Sequence, residues 1–220
     1  MPTALVTGAN RGIGLELSRG LIARGYDLVA VCRQRSPELA ALPARIEDDV
    51  DVTSGADVAA LATRLAGVTL DLLVNNAGIL LRGGLDDLDL DGVRRQLEVN
   101  AIAPLRLTRA LLPRMARPAK IAMITSRMGS IGDNSSGGAY GYRMSKAALN
   151  AASVSLAHDL RGREIAVAIL HPGYVRTDMT GGSGQSEPAE AAAALLDRIE
   201  ELTLENSGTF WHAQGEVLPW

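Results

Sequence analysis

The sequence predicts a doubly wound α/β fold, a parallel sheet of about seven strands with helices on both faces. Three observations predict it. Short apolar runs alternate along the chain with longer Ala-, Leu- and Arg-rich stretches of helical spacing, the order that right-handed βαβ crossovers produce. The apolar runs are continuous rather than alternating, as strands covered on both faces must be. A glycine cluster follows the first run directly, where such a sheet turns into its first helix.

Taken in order, Ala4 to Thr7 is a first strand, and Gly12 to Arg24 has the apolar spacing of a first helix. Leu28 to Cys32 is a second strand. A weaker strand is expected to end at Val52, before a helix from Gly55 to Leu65. Leu70 to Val74 follows as a strand, then one long helix from Asp89 to Met115. A strand from Ile121 to Thr125 leads into a helix from Tyr142 to Leu160, and Ile165 to Leu170 is again β-rich. A helix from Pro188 to Leu202 and a strand through Gly208 to Ala213 close the chain. Gly181 to Ser186 reads as a mobile loop rather than a domain linker. No internal repeat is present.

Composition bounds the function. With 220 residues, 47% of them hydrophobic and 21% charged, the chain suits one compact domain over residues 1–220 with a sizeable core. No apolar run approaches the ~18 residues of a membrane helix, and the first strand leaves no room for a leader, so a soluble, cytoplasmic protein is expected. Cys32 is the sole cysteine, which excludes an internal disulfide, and no Cys/His cluster has metal-ligand spacing. No metal is expected. The net charge is −3 without a run of like charges, which gives no footprint for nucleic acid. Aromatic residues make up 3% of the chain, so the core must be aliphatic.

In an open parallel sheet ligands bind beyond the carboxyl ends of the strands, where strand order reverses. Unusual residues gather at those ends: Gly8, Gly12 and Gly14 after the first strand, Asn75, Asn76, Ala77 and Gly78 after Val74, Ser126 after Thr125, and Pro172 and Gly173 after the strand ending near Leu170. Glycines between a strand and a helix let backbone N–H groups approach a pyrophosphate. Cofactor choice is set after the second strand, where an acidic residue holds a ribose hydroxyl and an arginine accommodates a 2′-phosphate. Arg33 stands there, and Arg11 in the glycine turn is a second cation, which favours NADP(H) while leaving NAD(H) open. Tyr142 and Lys146 lie four residues apart on one helical face. A free phenol has a pKa of ~10, and a nearby ammonium favours its ionised form. Tyr140 lies six residues from Lys146 and is expected to point elsewhere.

Together Thr7-Gly8-x-x-x-Gly12-x-Gly14, Asn75-Asn76-Ala77-Gly78, Asn100, Ser126, Tyr142-x-x-x-Lys146 and Pro172-Gly173 resemble the single-domain short-chain dehydrogenase/reductases, a Rossmann-type family, in the family's order and across nearly the whole chain. Gly138 to Asn150 and the ending Gly215-Glu216-Val217-Leu218-Pro219-Trp220 resemble the branch of C-factor and sniffer proteins, related to carbonyl reductases. The resemblance implies an oxidoreductase that interconverts a carbonyl and an alcohol, acting on a small molecule as a homodimer or homotetramer. It makes Tyr142 the general acid/base and Lys146 a ribose-binding and tuning cation. Ser126 would hold the substrate oxygen, and Asn100 would anchor a proton relay. Gly8, Asn10, Arg11, Gly12, Ile13 and Gly14 would line phosphates and ribose, and Asp51 and Val52 would flank the adenine. Asn76, Ala77 and Gly78 would pack against the cofactor, which Pro172, Gly173, Val175 and Thr177 would cover, Thr177 on the carboxamide.

Two departures stand out. Ser126 is about three residues further from Tyr142 than the family's serine commonly is, consistent with an insertion in Gly132 to Gly138; Ser130 is the alternative. Little chain lies between Thr180 and Glu187 to cover a substrate. His158, His171 and His212 lack partners at useful spacing and read as structural or exposed. The rival function is a nucleotide-binding sensor or signalling protein of the same fold with little catalysis. A sugar-nucleotide epimerase would need a different glycine spacing and a further substrate domain.

Overall fold

The computed structural model describes all residues from Met1 to Trp220. Seven strands form one sheet in the order β3-β2-β1-β4-β5-β6-β7. They are β1 (Thr3–Thr7), β2 (Asp27–Val31), β3 (Arg45–Glu47), β4 (Leu70–Asn75), β5 (Met115–Ile124), β6 (Ile165–His171) and β7 (Phe210–His212). All six pairings are parallel. Strand order reverses between β1 and β4, so the crevice expected at a switch point opens there.

Side chains on successive strand residues leave on opposite faces, and here both faces are covered. Ala4 and Val6 of β1 pack on one side with Leu17 and Leu21 of α1 (Gly12–Ala23) and with Leu195, Leu196 and Ile199 of α7 (Pro188–Glu200). Leu5 packs on the other with Val58 and Leu61 of α3 (Gly55–Arg64), Leu107 and Leu111 of α5 (Ala103–Leu111), and Leu149 and Leu160 of α6 (Tyr140–Leu160). Burying each leucine contributes roughly 1.5–3 kcal/mol. Phe210, the chain's single phenylalanine, makes a third, smaller cluster with Ile169 and Leu218. No helix is long and apolar enough to cross a membrane.

The structure differs from the sequence reading in four places. The weak third strand ends at Glu47 rather than Val52. Asp49 takes a φ of +54° and turns the chain, so Val52 sits in the turn beyond the sheet. A short helix, α2 (Pro37–Ala40), follows β2; its Ser36 side chain accepts from Leu39 N at 3.1 Å with Pro37 at the first turn, a start signal visible in the sequence. The long helix expected at 89–115 is broken into α4 (Leu90–Leu97), a π-turn (Glu98–Ile102) and α5, and Met115 already belongs to β5. Pro104 has no N–H to return to the Asn100 carbonyl, which loosens that turn. Gly181 to Ser186 folds back on the chain: Gln185 N donates to Tyr174 O at 2.6 Å and Arg176 N to Ser186 O at 3.0 Å.

Candidate active site

A cleft of about 1400 Å³ lies along the carboxyl ends of the strands. The glycine turn forms its floor. Gly8 and Gly12 take φ of +66° and +53°, and a Cβ on Gly14 would collide with the Gly8 carbonyl oxygen and the Asn76 amide, so only glycine lets α1 start this close to β1. No side chain caps the first N–H groups of α1. They and the helix dipole present an anion site to the cleft. These are the features a dinucleotide's pyrophosphate requires, so the residues present fit such a cofactor.

The segment after β4 is tied to β1. Thr7 Oγ1 accepts from Asn76 N at 3.0 Å and Ala77 N at 3.1 Å, while Asn76 Nδ2 donates to Thr7 O at 2.9 Å. Asn100, 1% exposed in the π-turn, clamps the following residues: its Oδ1 accepts from Ile79 N at 2.8 Å, and its Nδ2 donates to Ile79 O and Ser145 Oγ, each at 2.9 Å. Gln96 of α4 continues the clamp through Leu81 N at 2.9 Å.

Three side chains meet at the far end. Ser126 follows β5, its Oγ accepting from Met128 N at 3.2 Å. Tyr142 and Lys146, on the first turns of α6, are 8% and 5% exposed, whereas Tyr140 is left half-exposed. Burial raises the Tyr142 phenol above its ordinary value, and a hydrogen bond with Ser126 opposes the rise. Burial alone lowers Lys146 to about 8. Its Nζ donates to Ile124 O at 2.8 Å and stands 5.8 Å from the centre of the Tyr142 ring. In this arrangement desolvation is the larger influence on the Tyr142 phenol, with the Ser126 hydrogen bond opposing it. Ser130, the alternative serine, instead accepts from Asp133 N at 3.0 Å and holds the turn beyond Ser126.

At the other end, Arg33 and Asp51 line the cleft. Thr53 donates to Asp51 Oδ1 from its hydroxyl at 2.7 Å and its N–H at 2.8 Å. Those bonds, helped by the Arg33 and Arg95 charges, hold the carboxyl below its usual range. Arg11 reaches across the mouth to Asp178 at 2.8 Å, both side chains exposed. An exposed pair of this kind contributes about 0–1 kcal/mol, so either partner is readily exchanged.

Gly8, Asn10 to Gly14, Arg33, Asp51, Val52, Asn76 to Gly78, Tyr142, Lys146, Pro172 and Thr177 all line the one cleft. Asn100 and Ser126 are not part of that lining; Ser126 meets it through its hydrogen bond with Tyr142. Gly173 and Val175 do not reach it: Gly173 faces the His212 ring, and Val175 is 3% exposed and bridged to Ser186. Arg95, Glu98, Asp178 and Met179 also line it and were missed. The last two extend the segment after β6, so the rule that ligands sit beyond strand ends could have found them; Arg95 of α4 and Glu98 of the π-turn carry no local signal.

Comparison with known proteins gives one picture. A family model described as short chain dehydrogenase matches residues 2–188. The chain is 44% identical over its full length, and over the relative's full length, to a 1-hydroxy-2-glutathionyl-2-methyl-3-butene dehydrogenase of Rhodococcus sp. strain AD45. It is 43% identical to the C-signal of Myxococcus xanthus, across 73% of this chain and 99% of that one. Among solved structures, an NADPH-bound carbonyl reductase from chicken fatty liver superposes with a TM-score of 0.91 at 33% identity, covering 100% of this chain and 99% of the other.

Proposed function

Because this chain belongs to the short-chain dehydrogenase/reductase family, we propose that it is an NADP(H)-dependent oxidoreductase interconverting a carbonyl and an alcohol, with Tyr142 as general acid/base. The observation that carries the reading is the meeting of Ser126, Tyr142 and Lys146 at one end of a cleft whose other end holds the uncapped start of α1 and Arg33. A nicotinamide dinucleotide, when bound, supplies or accepts the hydride.

The chain's own residues do the rest. The glycine turn and the N-terminus of α1 hold the pyrophosphate. Arg33 meets the 2′-phosphate, and Arg11, held only by its exposed pair with Asp178, is available as the second cation. Lys146 would hold the nicotinamide ribose. Burial keeps Tyr142 protonated at neutral pH, the form that donates: its O–H gives a proton to the substrate oxygen in reduction, and its phenolate takes one from an alcohol in oxidation. Ser126 donates to the same oxygen and fixes its position. Asn100 holds the segment after β4 in place, so that Gly78 faces Lys146 without an intervening side chain. The Rhodococcus relative's name points to an alcohol bearing a glutathionyl group as a first compound to try. The reading also carries a homodimer or homotetramer through the helical segment from Asp89 to Met115 and α6, where Ile102 of the π-turn, Leu105 of α5 and Met144 of α6 are exposed.

Calorimetric titration with NADPH and NADH, followed by a carbonyl and alcohol panel read by cofactor absorbance, tests the proposal. Tight NADPH binding with turnover is expected. The likeness to the C-signal favours a second reading, nucleotide binding with a signalling role, which tight binding without turnover would select. Absence of binding would sink both.

A further inference from the structure

The segment Gly215 to Trp220 plays no part in the chemistry above, yet the structure ties it to the reactive end of the cleft. It returns along β7, with His212 N donating to Glu216 O at 2.7 Å and Leu218 N to Phe210 O at 2.8 Å. The Trp220 indole then stacks on Phe210, ring centres 5.5 Å apart at 26°, and Phe210 is 1% exposed. From that anchored position the main-chain oxygen of Trp220 accepts from Gly132 N at 2.7 Å. A second tie runs beside it: Arg127 bonds Asp133 at 2.5 Å and reaches Glu216 at 3.7 Å.

Both ties grip the turn that begins at Ser126. Its near side presses on α6, where a Cβ on Gly129 would lie 2.8 Å from the Lys146 carbonyl carbon. Its far side, Ser130 to Gly138, is built of glycines and small polar residues, and its one large apolar residue, Ile131, is 81% exposed. Such a segment has little packing of its own to offset the entropy of ordering it.

We propose that Trp220 is a positioning residue: by seating Gly132 it fixes the turn from Ser126 to Ser130, and thereby the hydroxyl that orients the substrate oxygen toward Tyr142. This rests on the carbonyl reductase reading. Neither Trp220 nor Gly132 lines the cleft, so the effect reaches the site through the turn and leaves the phosphate-binding floor at the glycine turn untouched.

The test uses the full chain, NADPH and a panel carbonyl that the wild type reduces. Misplacing a group outside the chemistry by about 1 Å can cost up to about 100-fold, so Trp220→Ala is expected to lower kcat/KM by roughly 10- to 100-fold while calorimetric NADPH affinity stays unchanged. Trp220→Phe, which keeps a ring on Phe210, should recover most of the loss. Gly132→Ala places a methyl 3.0 Å from the Trp220 oxygen and should lower kcat/KM in the same way. The double variant should lose no more than the worse single, since both break one contact. The Ser126 bond opposes the rise of the Tyr142 phenol, so the alkaline limb of the rate profile should also move to higher pH, which a merely stabilising residue would not do. Unchanged kcat/KM and pH profile in folded Trp220→Ala would overturn the proposal, as would a parallel loss of NADPH affinity. If Trp220→Ala does not fold, Gly132→Ala decides by the same criteria. A wild type that reduces no carbonyl would remove the functional reading and this one with it.

Discussion

Tyr142→Phe leaves the ring in its buried place and removes the hydroxyl, and with it the exchangeable proton and the bond with Ser126. Turnover should vanish while NADPH still binds, and retained turnover would refute the acid/base role. Lys146 carries a stability consequence as well. Its pKa falls from 10.5 to about 8 on burial, so the folded state releases a proton that the unfolded chain keeps, and stability rises with pH between those values. Lys146→Met should therefore be inactive yet more stable than wild type at pH 7 by roughly 1–3 kcal/mol, read by urea denaturation. His171 gives a test of the same sign in a more acidic window. Burial, then the charges of His212, Arg127 and Lys146, lower it to about 3, and its Nδ1 is buried without a hydrogen-bond partner. Kept neutral in the fold, it supports stability fully above the ordinary value of 6.5, and that support is lost as pH falls toward 3. His171→Gln should flatten the fall of the unfolding midpoint across that window; an equally steep fall would show that other groups control it. Sequence spacing could pair Tyr142 with Lys146, but it could not show that the ammonium turns to the Ile124 carbonyl, because that contact joins residues 22 apart on different elements.

At the scale of elements, the junction of β1 and α1 is the most exacting. Gly14→Ala should cost about 1–3 kcal/mol, as overpacking does, and weaken NADPH and NADH together, since it moves the helix start that both pyrophosphates need. Calorimetry showing a loss for one cofactor only would contradict this. Arg33→Ala should instead weaken NADPH far more than NADH. The strands around this junction were legible because continuous apolar runs of four to six residues have few other uses. Element ends were less so. Val50 and Val52 look like strand residues by spacing, but the turn at Asp49 sends Val52 into the cleft wall. Periodicity across 89–115 passes unbroken through Asn100, since a π-turn keeps helical dihedrals and adds only one residue to the turn. That surplus residue accompanies an Asn100 side chain directed at Ile79 and Ser145.

For the whole molecule, a ligand that binds only the folded chain stabilises it. NADPH at 100 times its Kd adds about 2.7 kcal/mol, roughly 5–10 °C in the unfolding midpoint at this size, and Arg33→Ala should shrink the shift to that given by NADH. Light scattering should find a dimer or tetramer; a monomer would contradict assembly through α5 and α6. The fold class was readable from element order alone, and the cleft's position from the switch-point rule. Closures between distant segments, such as Arg11 with Asp178 and Trp220 with Gly132, are not local patterns and were not readable. The all-parallel sheet also orders events in time. No two neighbouring strands can zip through a hairpin, so each pairing waits for an intervening crossover to collapse. In chain order the glycine turn and the β4 segment that build the nucleotide floor precede the reactive pair at 142 and 146, and the Trp220 strap follows both. Domains fold as units rather than strand by strand, so in this one sheet the nucleotide floor and the reactive pair take shape together, and neither is competent before the crossovers between them have closed.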